Sequence, residues 1–140
     1  RAAGGPTRRL RDGRLVNLLL DTHALLWWLD DSPELSDRAR GAVADPDNTV
    51  FLSAVVVWEI RIKEALGKLG LPGGFREALA AQAFTPLAIT VDHVHALADL
   101  PLLHRDPFDR MLVAQAKVEG FAIVPRDSVI PRYDVPVLAT

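Results

Sequence analysis

Residues 16–29 read Val-Asn-Leu-Leu-Leu-Asp-Thr-His-Ala-Leu-Leu-Trp-Trp-Leu, an apolar segment interrupted by the polar Asp21-Thr22-His23. Residues 17–21 form a short apolar run that predicts a buried strand, and a helix is expected over 24–29. Asp21-Thr22 stands between them, residues suited to opening a helix.

The same alternation continues outward. Ser32-Pro33 suggests an N-cap followed by an N1 proline, opening a helix to about residue 44. Thr49-Val50-Phe51-Leu52-Ser53 predicts a second strand, and residues 54–66 a helix closed by Gly67. Further helices are expected over 75–83, over 91–100 after a Thr90 cap, and from Asp106-Pro107 to Gly120. Strands are expected over 87–90, 121–124 and 136–138. Apolar strands separated by helices imply an α/β fold: a single domain with a central parallel sheet of about four or five strands flanked by helices. In such sheets ligands bind beyond the carboxyl ends of the strands.

The size fits one domain, 140 residues and 15.3 kDa. Hydrophobic residues make up 49% and charged residues 24%, which excludes a disordered or collagen-like chain. There is no Cys, so disulfide scaffolds, thiol nucleophiles and Cys-based zinc sites are excluded. No segment reaches the ~18 uninterrupted apolar residues of a membrane span. Arg8-Arg9 before an apolar stretch faintly resembles a secretory signal. Asn17, Asp21 and His23 interrupt it and no small-residue cleavage site follows, so a cytoplasmic protein is expected.

The formal charge of −2 is unevenly spread: residues 1–15 hold five Arg against Asp12, a net of +4, which leaves −6 on the rest. With Gly4-Gly5-Pro6 and no apolar periodicity, residues 1–15 are expected to be a flexible basic tail ahead of a domain at 16–140. A native start at the Val16 codon would make that tail an upstream extension. The acidic body argues against nucleic-acid binding by a broad basic face and is compatible with carboxylates gathered around metal ions.

Four acids stand out. Asp21 ends the first strand, although helix capping would also account for it. Glu59 interrupts the apolar stripe Val55, Trp58, Ile62 and Leu66, four residues after Val55 and three before Ile62. A carboxylate on that face is desolvated unless a positive group meets it. Lys63, at i+4, offers the plainer explanation of an ion pair. Asp106 is accounted for by capping, whereas Asp109, three residues on, sits where an acid complements the helix dipole. Asp127 follows the strand expected at 121–124, and an ordinary turn residue would read the same way. Oxygen ligands without His or Cys suit a hard cation, Mg²⁺ or Mn²⁺. Such a site polarises a phosphodiester and activates water.

Competing chemistries lack their parts. The chain has no G-x-x-x-x-G-K loop, no G-x-S-x-G elbow, and no second aspartate after Asp21-Thr22-His23. The four His show no zinc spacing, with His93 and His95 on different faces of one helix. Trp27, Trp28 and Trp58 are expected in the core or at an interface rather than as base-stacking platforms.

Three ordered blocks carry a resemblance: residues 18–29, the segment from Ser53 through Trp58-Glu59-Ile60 to Lys63, and His104-Arg105-Asp106-Pro107-Phe108-Asp109-Arg110 to Ala116. Over residues 17–138 the chain resembles the PIN-domain ribonucleases, above all the VapC-type toxins of bacterial toxin–antitoxin pairs. The resemblance implies an Mg²⁺- or Mn²⁺-dependent endoribonuclease, usually a homodimer, silenced by a cognate VapB-type antitoxin. By position Asp21, Glu59 and Asp109 match the family's main metal-site acids, Asp127 the more variable fourth, and Thr22 and Ser53 the polar residues beside them. Pro125 departs from the Thr or Ser that often stands two residues before the fourth acid, removing a hydroxyl and a backbone donor. Arg105, Arg110 and Arg126 are candidates for meeting RNA phosphates, with solvated surface charge as the alternative for each. The antitoxin is expected to direct a cation at the acids and an apolar segment at a groove near Trp27, Trp28 or Leu35. The rival reading is a non-catalytic α/β interaction module whose acids only cap helices.

Overall fold

The computed structural model describes residues 16–125 and 133–138; the basic stretch 1–15, Arg126 and Asp127 lie outside the described residues. The chain runs β1 (Asn17–Leu20), α1 (Thr22–Leu29), α2 (Asp37–Ala44), β2 (Thr49–Ser53), α3 (Ala54–Ala65), α4 (Phe75–Ala80), β3 (Thr85–Leu87), α5 (Val91–Ala96), α6 (Pro107–Glu119) and β4 (Ala122–Val124). The four strands form one parallel sheet in the order β3-β2-β1-β4. The α/β architecture expected from the alternation is therefore the one observed. The strand expected at 136–138 is a single parallel bridge, Val137 to Ile123, beside β4.

β1 is buried along its whole length, as a strand with neighbours on both sides and helices over the sheet must be. Leu18, Leu19 and Leu20 are flanked by Phe51 of β2 and Ile123 of β4. Phe51 and Phe121 stack with centroids 4.2 Å apart and planes 18° apart. Gly120 takes the left-handed conformation, φ 77°, that ends α6 and turns the chain into β4.

The strand order has a consequence for function. From β1 the chain steps outward through β2 to β3, then returns to the other side of β1 with β4. The order reverses at β1, and in open parallel sheets ligands bind outside the carboxyl ends at such a reversal. Asp21 follows the last residue of β1, and its backbone N–H donates to Val124 O at 3.1 Å, tying the two strands at that point.

Several elements differ from expectation for identifiable reasons. The helix expected from Ser32-Pro33 starts at Asp37, capped by Ser36, whose hydroxyl accepts from Ala39 N. Ser32 and Pro33 instead form a turn, with Leu35 N donating to Ser32 O at 3.2 Å. Proline suits the second position of a turn as well as it suits N1. β3 lies at Thr85–Leu87 rather than 87–90, with Pro86 tolerated because the strand is at the sheet edge. The helix expected over 91–100 gives way after Ala96 to a 3₁₀ turn at Leu97–Asp99. In α3 the buried face is Val55, Val56, Glu59 and Ile60, not the stripe through Trp58 and Leu66, which are 57% and 63% exposed. Trp58 is thus not a core residue. Leu35 is buried at 2%, so of the three residues expected beside a groove only Trp27 and Trp28 are partly exposed.

Candidate active site

Asp21 is buried and acts as N-cap of α1, its Oδ1 accepting from Ala24 N at 2.8 Å. Capping therefore holds, and it places the carboxylate at the mouth of the sheet's reversal point. Thr22, also buried, donates its hydroxyl to Glu59 Oε1 at 2.6 Å. This bond spans 37 residues and fastens the start of α1 to the second turn of α3. The other oxygen of Glu59 meets Lys63 Nζ at 2.6 Å. The i+4 pair is thus real, yet it belongs to a buried carboxylate whose second oxygen faces Thr22, not to a solvated surface.

Replacing Thr22 with Val keeps shape and removes the donor, leaving Glu59 Oε1 short of a partner. The expected cost is about 1–3 kcal/mol, the usual penalty for a buried acceptor left unmatched. Chemical denaturation reads it directly. An unchanged midpoint would mean that Lys63 alone satisfies Glu59.

Asp109 lies in the first turn of α6 behind the Asp106 cap, whose Oδ1 accepts from both Phe108 N and Asp109 N. His104 Nε2 lies 3.4 Å from Asp109 Oδ2; it is buried and has no hydrogen-bond partner of its own among the described residues. The other ring nitrogen of His104 meets Tyr133 Oη at 2.9 Å. Arg110 donates to Tyr133 Oη and to Pro101 O, so this candidate for phosphate contact is turned to the loop before α6. Arg105 is exposed. The helices bearing Glu59 and Asp109 meet where the rings of Trp58 and Phe108 touch.

Ser53 is fully buried, caps α3 through Val55 N and donates to Gln115 Oε1 at 2.5 Å. Gln115 also reaches Ala88 O and His93 Nδ1, so it joins β2, the segment after β3, α5 and α6. Sequence reasoning missed Gln115, and the signal was present: it is the one amide in the buried run Leu112 to Ala116. His93 is equally structural, closing a capping box with Thr90 and meeting Glu119 Oε2 at 2.8 Å.

The donor chemistry suits a hard cation: carboxylate oxygens at the carboxyl edge of the sheet, with two of the acids at helix N-termini. Among the described residues, however, no group of three or more His, Asp or Glu side chains is gathered closely enough to hold a metal ion. Glu59 is engaged by Lys63 and Thr22, whereas His104 Nε2 comes to 3.4 Å of Asp109 Oδ2 without a hydrogen bond to it.

The PIN domain profile matches residues 18–136. No curated protein sequence matches the chain. Among solved structures, VapBC2 from Rickettsia felis bound to a DNA fragment of its promoter superimposes with a TM-score of 0.69 at 12% identity, covering 89% of this chain and 99% of that one. FitAcB from Neisseria gonorrhoeae gives 0.61 at 22% identity, over 86% and 96% of the two chains. A toxin–antitoxin complex from Klebsiella pneumoniae gives 0.53 at 18% identity, over 79% and 86%. At these identities the likeness is one of fold.

Proposed function

The chain belongs to the PIN-domain family, and from that membership we propose that it is a metal-dependent endoribonuclease acting as the toxin of a toxin–antitoxin pair. The observation that carries the reading is the bond from Thr22 to Glu59, which brings a second buried carboxylate to the reversal point that Asp21 occupies. In this reading Asp21, Glu59 and Asp109, with Asp127, hold Mg²⁺ or Mn²⁺. The bound ion would neutralise the scissile phosphate and lower the pKa of the attacking water. Lys63 offsets the charge of Glu59 and Thr22 fixes its orientation. Arg105 and Arg126 are the cations proposed to meet flanking phosphates.

The partner proposed is a VapB-type antitoxin, in keeping with the antitoxin-bearing complexes that share the fold. Its basic residue would enter among the acids. Its apolar segment would lie in the recess of about 280 Å³ formed by residues that include Leu26, Trp27, Leu29, Leu69, Leu71 and Phe75. A homodimer working in the cytoplasm, where RNA is met, completes the proposal. Among the described residues no helix is long and apolar enough to cross a membrane.

Purified protein is expected to cut single-stranded RNA with Mn²⁺ or Mg²⁺ and to stop when EDTA is added, with activity returning on re-addition of the ion. The rival, an interaction module whose acids only cap helices, predicts no metal-dependent product at any ion concentration.

A further inference from the structure

Trp58 and Phe108 each stand one residue before a proposed metal-site acid, Glu59 and Asp109, on two different helices. Their rings meet edge to face, with centroids 5.2 Å apart and planes at 78°. Successive helix residues point about 100° apart, so Glu59 turned inward, at 4% exposure, leaves Trp58 directed out, at 57%. The indole forms part of the wall of an open recess of about 590 Å³, shared with Leu52, Val57, Arg61, Pro86 and Leu87.

The recess is apolar except for one guanidinium. Arg61 is paired with Glu64 at 2.8 Å, but both side chains are substantially exposed, at 47% and 40%. Such a pair contributes little, and the guanidinium also lies over the Phe75 ring, 5.7 Å from its centroid, so a phosphate meeting Arg61 would draw it from these two surface contacts. An exposed aromatic face and a cation lining the same recess, on the rim of the proposed metal site, match the requirements of an unpaired nucleotide. The base stacks on the ring and the backbone meets the charge.

We propose that Trp58, braced by Phe108 and flanked by Arg61, stacks on an unpaired base of the RNA substrate next to the scissile phosphate. The inference rests on the ribonuclease reading above. It makes single-strandedness a requirement imposed by the protein, because a paired base offers no free face to the indole.

The test compares the wild-type chain with Trp58→Ala and Trp58→Phe on a mixed-sequence single-stranded oligoribonucleotide. With Mn²⁺ present, Trp58→Ala is expected to raise KM roughly 5–150-fold, the span set by loss of one stacked base, with a smaller change in kcat. Trp58→Phe should keep most of the affinity. In EDTA, where hydrolysis is stopped, the oligonucleotide should quench the wild-type tryptophan fluorescence, and Trp58→Phe, retaining Trp27 and Trp28, should lose that quenching. Wild-type KM in Trp58→Ala, with wild-type cleavage, overturns the stacking role and leaves the nuclease reading standing. Conversion of a dimer to monomers by Trp58→Ala in sedimentation overturns it in favour of a subunit interface. No cleavage by the wild type with any divalent ion overturns both.

Discussion

Asp21→Asn and Asp109→Asn are each expected to reduce metal-dependent RNA cleavage by more than 100-fold while leaving the fold in place. Loss of a group that merely orients a metal ligand typically costs about 10–100-fold, and loss of a ligand should exceed that. The stability side of the expectation comes from the local geometry. Asp21 Oδ1 caps α1 through Ala24 N, and asparagine caps a helix about as well as aspartate. Asp109 contributes to α6 through the helix dipole, an effect of roughly 0.3–1 kcal/mol. Circular dichroism should therefore give near-wild-type melting for both variants, and product analysis on a gel should show the loss of cleavage. Wild-type turnover in either variant would remove that carboxylate from the site.

The parts of this arrangement that were legible in the sequence are the local ones. β1 could be read because a short apolar run ending at Asp21 leaves few alternatives, and α6 because Asp106-Pro107 and Gly120 mark both of its ends. Glu59 could be singled out because an acid amid apolar helical positions is costly. Its neighbours were harder to rank. α3 carries two overlapping apolar stripes, and periodicity alone does not say which of them faces the sheet. The stripe through Val56 and Ile60 is the buried one, which is why Trp58 emerges in solvent. Ser32-Pro33 has the residues of a helix start as well as those of a turn, and the structure uses it as a turn, with Ser36 capping α2.

The long-range parts were not legible. Strand order is set by pairings between segments far apart in the chain, so the placement of Asp21 at the reversal of the sheet emerges only from the fold. The Thr22–Glu59 bond spans 37 residues and the Ser53–Gln115 bond 62, and no spacing rule connects such pairs. His104 is a further case. Its approach to Asp109 is five residues away in sequence, but the ring is oriented by Tyr133 Oη, beyond β4.

Phe121→Ala should be among the most damaging single changes to stability, because Phe121 is fully buried and stacked on Phe51 at the foot of β4. Removing a buried Phe side chain typically costs about 3–5 kcal/mol, part of it from the cavity left behind. Domains of this size are stable by about 5–15 kcal/mol in total, so the variant should lose roughly a fifth of its stability or more. A fall in melting temperature of more than roughly 8 °C is expected. Phe121→Leu, which refills most of the space, should lose clearly less. The damage should also reach the candidate site through the backbone. Among the described residues β4 pairs with β1 and with the bridge at Val137, and Val124 O receives the Asp21 N–H. Loosening Phe121 therefore loosens the strand that holds one side of the reversal point. Hydrogen exchange should show faster exchange at the Asp21 amide in Phe121→Ala under conditions where most molecules are still folded, ahead of amides in α3. If the Asp21 amide kept its protection while global stability fell, β4 would be anchored by something other than this aromatic stack, and the coupling of core to site would be refuted.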